Sequence, residues 1–242
     1  YPQQIIESIQ YHCDGERDES LPAAAYSLVQ QVNERGVYSF CMCPGGFIVP
    51  AATANGEVVV NGMSPSKRNN AFANSGIVVE INVDRDIPKL EKHGALKGLE
   101  YQKSLEKLAF TAGGKSQTAP AQRLTDFVEG KLSNDLNPTS YQPGLKSSPL
   151  HSLLPKFIGS RLRKGFAAFG QKMHGYYTEE ANIVGVESRT SSPVNIPRNE
   201  NLEHIEVKGL FPCGEGGGYA GGIVSAAMDG ERCAEAASVR LN

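Results

Sequence analysis

A chain of 242 residues is long enough to form one large domain or two small ones with a substantial core. Lysine and arginine total 24 against 26 aspartates and glutamates, and the resulting net charge of -2 gives no electrostatic basis for binding nucleic acid or an anionic membrane. Glycine is enriched, with 26 residues where an average usage of ~7 % would give roughly 17. The composition therefore favours a small-molecule or protein partner and many turns or close backbone approaches.

Cysteine usage and the apolar pattern indicate a cytoplasmic protein. The five cysteines are an odd number spread along the chain, unlike the dense even sets of secreted scaffolds. No apolar run approaches the ~18 residues of a membrane span, and the first residues lack a basic segment followed by an apolar one. Because the sequence starts without a methionine, we expect a fragment or a processed form.

Residues 1–90 are predicted as a β-rich segment. From Val37, the short runs VYSFCMC, FIVPAA and EVVVNG alternate with the turn sequences Pro44-Gly45-Gly46 and Asn55-Gly56. Glycine and asparagine enter positive φ easily, so such turns favour hairpins. The pattern predicts a meander, and then, after a polar loop, a strand GIVVEINV that is a candidate for burial on both faces.

Residues 91–180 are predicted as a helical insert. In LKGLEYQKSLEKLAF the apolar residues recur at roughly helical intervals, and Gly113-Gly114 and a loop from Pro138 to Pro149 interrupt the pattern. A second apolar stripe, with interleaved basic residues, runs from Leu153 to Phe169. It favours a helix packed on a core. The alternative is a helix that binds a membrane or a calmodulin-like partner, which the glycines in the segment disfavour because they weaken an isolated helix.

The strongest local signal lies in residues 181–242. A β-compatible run from Ile205 to Phe211 meets six glycines between Gly214 and Gly222, and helical spacing begins at Ile223. The pattern predicts a strand, a glycine turn and a helix. Backbone N–H groups and the positive end of the helix dipole would then face a ligand above the strand, which favours an anionic or electron-rich group.

The same turn satisfies G-x-G-x-x-G at Gly216, Gly218 and Gly221. A dinucleotide-binding fingerprint also requires a following strand with an acidic residue about 20 residues on. The sequence ends 21 residues after Gly221, and Glu231 and Glu235 fall inside the predicted helix. We therefore interpret the turn as the last element of a nucleotide-binding domain, not as its first.

The run GLFPCGEGGGYAGGIVSAAMDGERCAEA resembles the C-terminal flavin motif of FAD-dependent dehydrogenases of the two-dinucleotide-binding flavoprotein group. The stretches YSFCMCPGGFIVPAA, NGMSPSKRNNAFAN and GVESRTSSPVNIPR are similar to one subgroup, the bacterial FAD-utilising dehydrogenases. The resemblance runs from about Tyr38 to the C-terminus. It implies an α/β fold in which a β-rich substrate-domain segment and a helical insert precede the last strand, turn and helix of an FAD-binding Rossmann-like domain.

The resemblance also implies a cofactor site. Gly214 and Glu215 would contact the ribityl chain, and the N–H groups of Gly221, Gly222 and Ile223 would face the O2/N1 edge of the flavin. Negative charge develops at that edge on reduction, so a helix N-terminus there favours the reduced flavin. The full set of predicted cofactor-binding residues is Gly214, Glu215, Gly218, Tyr219, Ala220, Gly221, Gly222 and Ile223.

Partners follow from the same resemblance. The chain lacks an N-terminal glycine fingerprint for the ADP half of FAD, so the expected partner is a preceding FAD-binding segment of the same protein. The resemblance implies FAD as the cofactor and NAD(P)H as a candidate reductant. A small-molecule substrate is expected, without nucleic acid or membrane.

Two segments are candidates for the substrate site, each with a plainer alternative. Cys41 and Cys43 lie in one predicted strand, where alternation would put both thiols on one face. They are core residues, thiols near the flavin, or a redox or metal pair; no second cysteine pair completes a zinc set, and we predict no metal. Gly45 and Gly46, in the turn that follows, are candidates for the same substrate site.

The second segment is Arg189-Thr190-Ser191-Ser192-Pro193. An arginine can hold a substrate carboxylate through two parallel hydrogen bonds, whereas the plainer interpretation is a loop or an interdomain salt bridge. The sequence therefore predicts the C-terminal part of an FAD-dependent oxidoreductase that transfers a hydride between an organic substrate and flavin. The alternative function is a non-catalytic recognition or interaction module of a flavoprotein.

Overall fold

The computed structural model describes residues 1–14 and 17–241. It is a mixed α/β structure with small sheets and helices, and it divides into two compact units. The first unit comprises Tyr1–Ile81 and Lys103–Ser188, and the second comprises Asn82–Gln102 and Arg189–Asn242. The segment boundaries near residues 90 and 180 stay predictions.

The first unit opens with one helix and five strands. These elements are α1 (Gln3–Tyr11), β1 (Val29–Val32), β2 (Arg35–Cys43), β3 (Phe47–Pro50), β4 (Val60–Met63) and β5 (Asn74–Val79). Strands β1, β2 and β5 form one antiparallel sheet in the order β1-β2-β5, and β3 and β4 form a separate antiparallel pair. The predicted strands and the hairpin that contains Asn55-Gly56 are confirmed.

The predicted meander is wrong, because β2 does not pair with β3. Backbone groups after β2 are bound elsewhere: the Gly45 N–H donates to Gln3 Oε1 at 2.7 Å, and the Gly46 N–H donates to the Phe72 carbonyl oxygen at 2.7 Å. The expectation that β5 is buried on both faces is also wrong. All six of its residues are half-buried, since β5 is an edge strand with β2 as its sheet partner.

The rest of the first unit contains helices and a third small sheet. The elements are α3 (Lys97–Ala112, which starts in the second unit), β6 (Ala119–Arg123), α4 (Leu124–Glu129), β7 (Leu145–Ser147), α5 (Leu150–Leu153), α6 (Lys156–Lys172) and β8 (Asn182–Val184). In the sheet β7-β6-β8, β6 is parallel to β7 and antiparallel to β8. The helical insert therefore contains strands that the sequence did not predict, since β6, APAQR, carries no β-branched or aromatic residue.

Helix α6 packs on the core, as its apolar stripe predicts. Leu162, Phe166 and Phe169 are buried, and Phe166 and Phe169 meet edge to face at 6.4 Å between ring centroids. Gly165 lets the helix approach β2, because a β-carbon there would lie 2.7 Å from Val37 Cγ1. The glycine that weakens an isolated helix is thus a packing residue.

The second unit contains α2 (Val83–Asp86), 3-10 turns over Pro88–Leu96, the start of α3, and α7 (Ile223–Leu241). Helix α7 is confirmed, but the strand predicted from Ile205 to Phe211 is wrong. His204 Nδ1 accepts hydrogen bonds from the Glu206 and Val207 N–H groups, and Gly209 has φ +80°. Local side-chain bonding and a left-handed residue favour turns over an extended strand.

None of the helices in the part of the chain that the structure describes is long and apolar enough to cross a membrane.

Candidate functional site

The glycine turn ahead of α7 is closed by its own backbone. The Gly218 N–H donates to the Glu215 carbonyl oxygen at 2.9 Å, and the Tyr219 N–H donates to the Gly214 carbonyl oxygen at 3.0 Å. Gly214 and Gly218 have φ +65° and +84°, in the left-handed region that disfavours a side chain. These two glycines are therefore required by the turn itself.

The segment after the RTSSP loop packs along this turn. A β-carbon on Gly218 would lie 2.7 Å from the Val194 carbonyl oxygen, and the Ile196 N–H donates to the Gly217 carbonyl oxygen at 3.1 Å. The Ser192 hydroxyl lies 3.4 Å from the Gly216 carbonyl oxygen. The structure thus brings one predicted substrate-site residue, Ser192, to the predicted cofactor turn.

Three other glycines of the turn have no such requirement. A β-carbon on Gly216 or Gly221 would meet no atom within 4 Å, and one on Gly222 would meet only Ser225 Oγ at 3.7 Å. None of the three has a φ in the left-handed region. Gly221 and Gly222 are also exposed. Neither backbone strain nor a neighbouring atom of the described chain accounts for glycine at these positions.

Helix α7 begins at Ile223 with a cap that the sequence analysis missed. The Gly222 N–H donates to Ser225 Oγ at 3.2 Å, and the Ser225 hydroxyl lies 3.0 Å from the Gly222 carbonyl oxygen. A polar side chain at the third helical position that reaches back to the capping residue is half of a capping box, and the Gly-x-x-Ser spacing was the available signal. One of the three N–H groups expected to face the flavin is therefore occupied by Ser225 in this structure.

A buried ion pair, which we call the Arg198–Asp229 clamp, binds the backbone where the chain enters the turn. Arg198 Nη2 donates to Asp229 Oδ1 at 2.8 Å, and Arg198 Nη1 donates to Asp229 Oδ2 at 2.9 Å. Arg198 Nη1 also donates to the Pro212 carbonyl oxygen at 2.8 Å, and Asp229 Oδ2 accepts the Gly214 N–H at 2.9 Å. The clamp joins helix α7 to Pro212 and Gly214, the residues on either side of Cys213 where the chain enters the turn.

The clamp sets the charge state of its members. The side chains of Arg198 and Asp229 are 9 % and 8 % exposed. The hydrogen bonds from Arg198 and from the Gly214 N–H lower the pKa of Asp229 to about 2, so this carboxylate stays ionised at neutral pH. Neither residue could be predicted from the sequence, because a residue in a loop and another in a helix give no local spacing signal.

Tyr219 and Gly214 are engaged within the chain. The Arg198 guanidinium carbon lies 3.6 Å from the centroid of the Tyr219 ring, and the Tyr219 hydroxyl donates to the Ile196 carbonyl oxygen at 2.8 Å. The Gly214 N–H is bonded to Asp229. Of the pair predicted to contact the ribityl chain, Glu215 is the exposed member.

The RTSSP loop is supported from the start of α3. Gln102 Nε2 donates to the Ser191 carbonyl oxygen at 3.4 Å, and a β-carbon on Gly98 would lie 2.9 Å from the Pro193 carbonyl oxygen. Arg189 and Thr190 are half-buried. Their role in a substrate site stays a prediction.

The thiols of Cys41 and Cys43 have different environments. Strand β2 carries a register irregularity between Phe40 and Cys43, and Cys41 has φ +44°. This bulge interrupts the alternation that was expected to put both thiols on one face: Cys41 is exposed, whereas Cys43 is buried and donates to the Cys41 carbonyl oxygen at 3.2 Å. Burial raises the pKa of the Cys43 thiol.

The glycines that follow are closely packed. A β-carbon on Gly45 would lie 1.9 Å from the Arg68 carbonyl oxygen, and one on Gly46 would lie 2.6 Å from the Met63 carbonyl oxygen. The chain itself thus requires glycine at both positions. Within residues 1–14 and 17–241, no three His, Cys, Asp or Glu side chains are grouped so that they could hold a metal ion.

The structure is mixed α/β, and a glycine turn precedes its long C-terminal helix α7. The sequence matches the family described as FAD-dependent protein, C-terminal domain-like, over residues 1–190. The chain belongs to this family, and the predicted resemblance to the C-terminal part of an FAD-dependent protein is confirmed at that level. The glycine turn lies beyond the matched range.

A relative from Clostridium beijerinckii, described as an uncharacterized protein, is 42 % identical over 239 residues. The alignment covers 97 % of this chain and 44 % of that protein. The chain therefore spans less than half the length of this relative.

Proposed function

We propose that this chain is the flavin-facing C-terminal part of an FAD-dependent oxidoreductase of the dehydrogenase type. In that role the turn and helix α7 complete a Rossmann-like FAD-binding domain, and residues 1–90 are the β-rich segment of a substrate domain. The bound flavin supplies the chemistry, which is hydride transfer to or from an organic substrate. The chain's own residues bind and orient it.

The observation that carries the proposal is the open glycine pair Gly221-Gly222. Both residues are exposed at the start of a 19-residue helix, and no internal contact closer than 3.7 Å would oppose a side chain at either position. A glycine that the chain does not need for itself is best explained by close approach of something outside it. The positive end of the helix dipole favours an electron-rich group there, such as the O2/N1 edge of a flavin.

Glu215 and the RTSSP loop complete the proposed arrangement. The exposed carboxylate of Glu215 is able to accept hydrogen bonds from the ribityl hydroxyls of a flavin. The hydroxyl of Ser192 links the RTSSP loop to the turn, so a substrate held by Arg189 in this loop would lie near the proposed cofactor turn. NAD(P)H remains the candidate reductant of the flavin.

The apolar side chains of helix α7 support an additional segment in the intact protein. Ile223, Val224 and Met228 are 88 %, 71 % and 59 % exposed, which is unusual for large apolar residues so close together. Together with the greater length of the Clostridium relative, this exposure favours a preceding FAD-binding segment that covers the helix. Such a segment would bring the contacts to the pyrophosphate and adenosine.

The test is the flavin content of the protein at its native length. We expect a yellow protein with the visible spectrum of bound FAD, and a Gly221→Val variant that folds but loses most of its flavin. Gly36→Val is the control, because a β-carbon on Gly36 in strand β2 of the first unit would have no neighbour closer than 3.7 Å. Native-length protein without FAD, after refolding with excess cofactor, would refute the proposal and favour a non-catalytic module. Flavin retained equally by both variants would remove the turn from the cofactor site.

A further inference from the structure

We propose that Arg198 and Asp229 are positioning residues for the flavin: their clamp fixes the Gly214–Gly222 turn in the conformation that receives the cofactor. This inference rests on the proposed function. Neither residue offers a polar group to the ligand, because the guanidinium and the carboxylate are buried and bonded to each other. They act through the backbone that they hold.

The clamp controls the turn at both of its ends. Asp229 binds the N–H of Gly214, the first glycine of the turn, and Arg198 binds the carbonyl oxygen of Pro212, two residues earlier. The guanidinium also stacks on Tyr219, near the end of the turn, at 3.6 Å. Because Asp229 lies in α7, these contacts fix the turn relative to the helix whose N-terminus would face the flavin.

The geometry requires both the charge and the shape of the clamp. The two nitrogens of Arg198 donate to the two oxygens of Asp229 at 2.9 and 2.8 Å, which is a bidentate fork that lysine cannot form. A third contact places Cys233 Sγ, one turn along α7 from Asp229, at 3.3 Å from Arg198 Nη1. An amide in place of the carboxylate would present its own N–H group to Arg198 and lose the opposite charge.

The experiment compares Asp229→Asn and Arg198→Lys with wild type in the native-length protein. Glu200→Gln is the control, since it makes the same acid-to-amide change at an exposed loop position of the same unit. We measure the Kd for FAD, the flavin midpoint potential at saturating FAD, and helix content by circular dichroism. In both clamp variants we expect Kd to rise at least about tenfold and the midpoint potential to become more negative, because the N–H groups at the helix start no longer face the reduced flavin correctly.

The potential separates positioning from mere stabilisation. A residue that only stabilises the fold would alter thermal unfolding and leave the potential of the flavin that remains bound unchanged. If Kd and potential equal those of wild type in Arg198→Lys, the milder variant, the clamp is structural and the inference is overturned even if Asp229→Asn does not fold. A wild-type protein that binds no FAD would overturn the proposed function as well, whereas flavin-binding wild type with unaffected variants overturns the clamp alone.

Discussion

Gly218→Ala should destabilise the glycine turn by about 2–4 kcal/mol. The left-handed backbone at φ +84° costs an L-residue ~1–2 kcal/mol, and the new methyl group would lie 2.7 Å from the Val194 carbonyl oxygen. Relieving a contact of this kind in a packed site costs ~1–3 kcal/mol, and the reduced freedom of the unfolded chain returns ~0.4–1 kcal/mol. The neighbouring segment must move, which breaks the bond from the Ile196 N–H to the Gly217 carbonyl oxygen.

Hydrogen exchange measures this change locally. The Ile196 and Tyr219 N–H groups are bonded within the site, so they report its opening directly. A loss of 2–4 kcal/mol corresponds to roughly 30- to 700-fold faster exchange at these two amides. The control is Gly216→Ala, where the β-carbon meets no atom within 4 Å and φ is ordinary. We expect the control to exchange within about threefold of wild type. Wild-type protection in Gly218→Ala would refute the close approach of residues 194–195 to the turn.

Two further predictions concern ionisable groups. The pKa of Asp229 is lowered from 3.8 to about 2, so its stabilising contribution is complete above about pH 4 and is lost as the pH falls towards 2. Urea unfolding of the second unit, measured against pH, should show this loss of stability in wild type and not in Asp229→Asn. In the first unit, iodoacetamide should modify the exposed Cys41 at least tenfold faster than Cys43, whose thiol is buried and has a raised pKa, and mass spectrometry that finds equal rates would contradict the bulged geometry of β2.

The strands and helices with a strong periodic pattern could be predicted from the sequence. β2, β3, β4 and α7 all lie where short apolar runs, helical spacing and glycine-containing turns in the sequence indicate them. Pairing could not be predicted in the same way. Whether β2 pairs with β3 depends on the distant Gln3 and Phe72, which bind the backbone of the intervening turn.

In the candidate site, too, the local elements could be predicted and the contacts between distant residues could not. Its turn and helix start are local, and six glycines before a helical pattern are enough to identify them. The strand wrongly predicted from Ile205 to Phe211 shows the limit of propensity, since one histidine side chain and Gly209 are enough to favour turns. The Arg198–Asp229 clamp joins residues 31 positions apart, and only the folded structure brings them together.

The G-x-G-x-x-G spacing at Gly216, Gly218 and Gly221 shows why a motif must be judged by the role of each glycine. In a dinucleotide-binding fingerprint the second glycine leaves room for the pyrophosphate, and the third allows close packing of helix on strand. Here the order is reversed: Gly218 is filled by its own chain, with Val194 O 2.7 Å from a β-carbon, and Gly221 meets nothing within 4 Å. Of these two positions, the open space therefore lies at Gly221, next to the start of the helix. The proposed function places a flavin edge at this open position, where the positive end of the α7 dipole favours an electron-rich group.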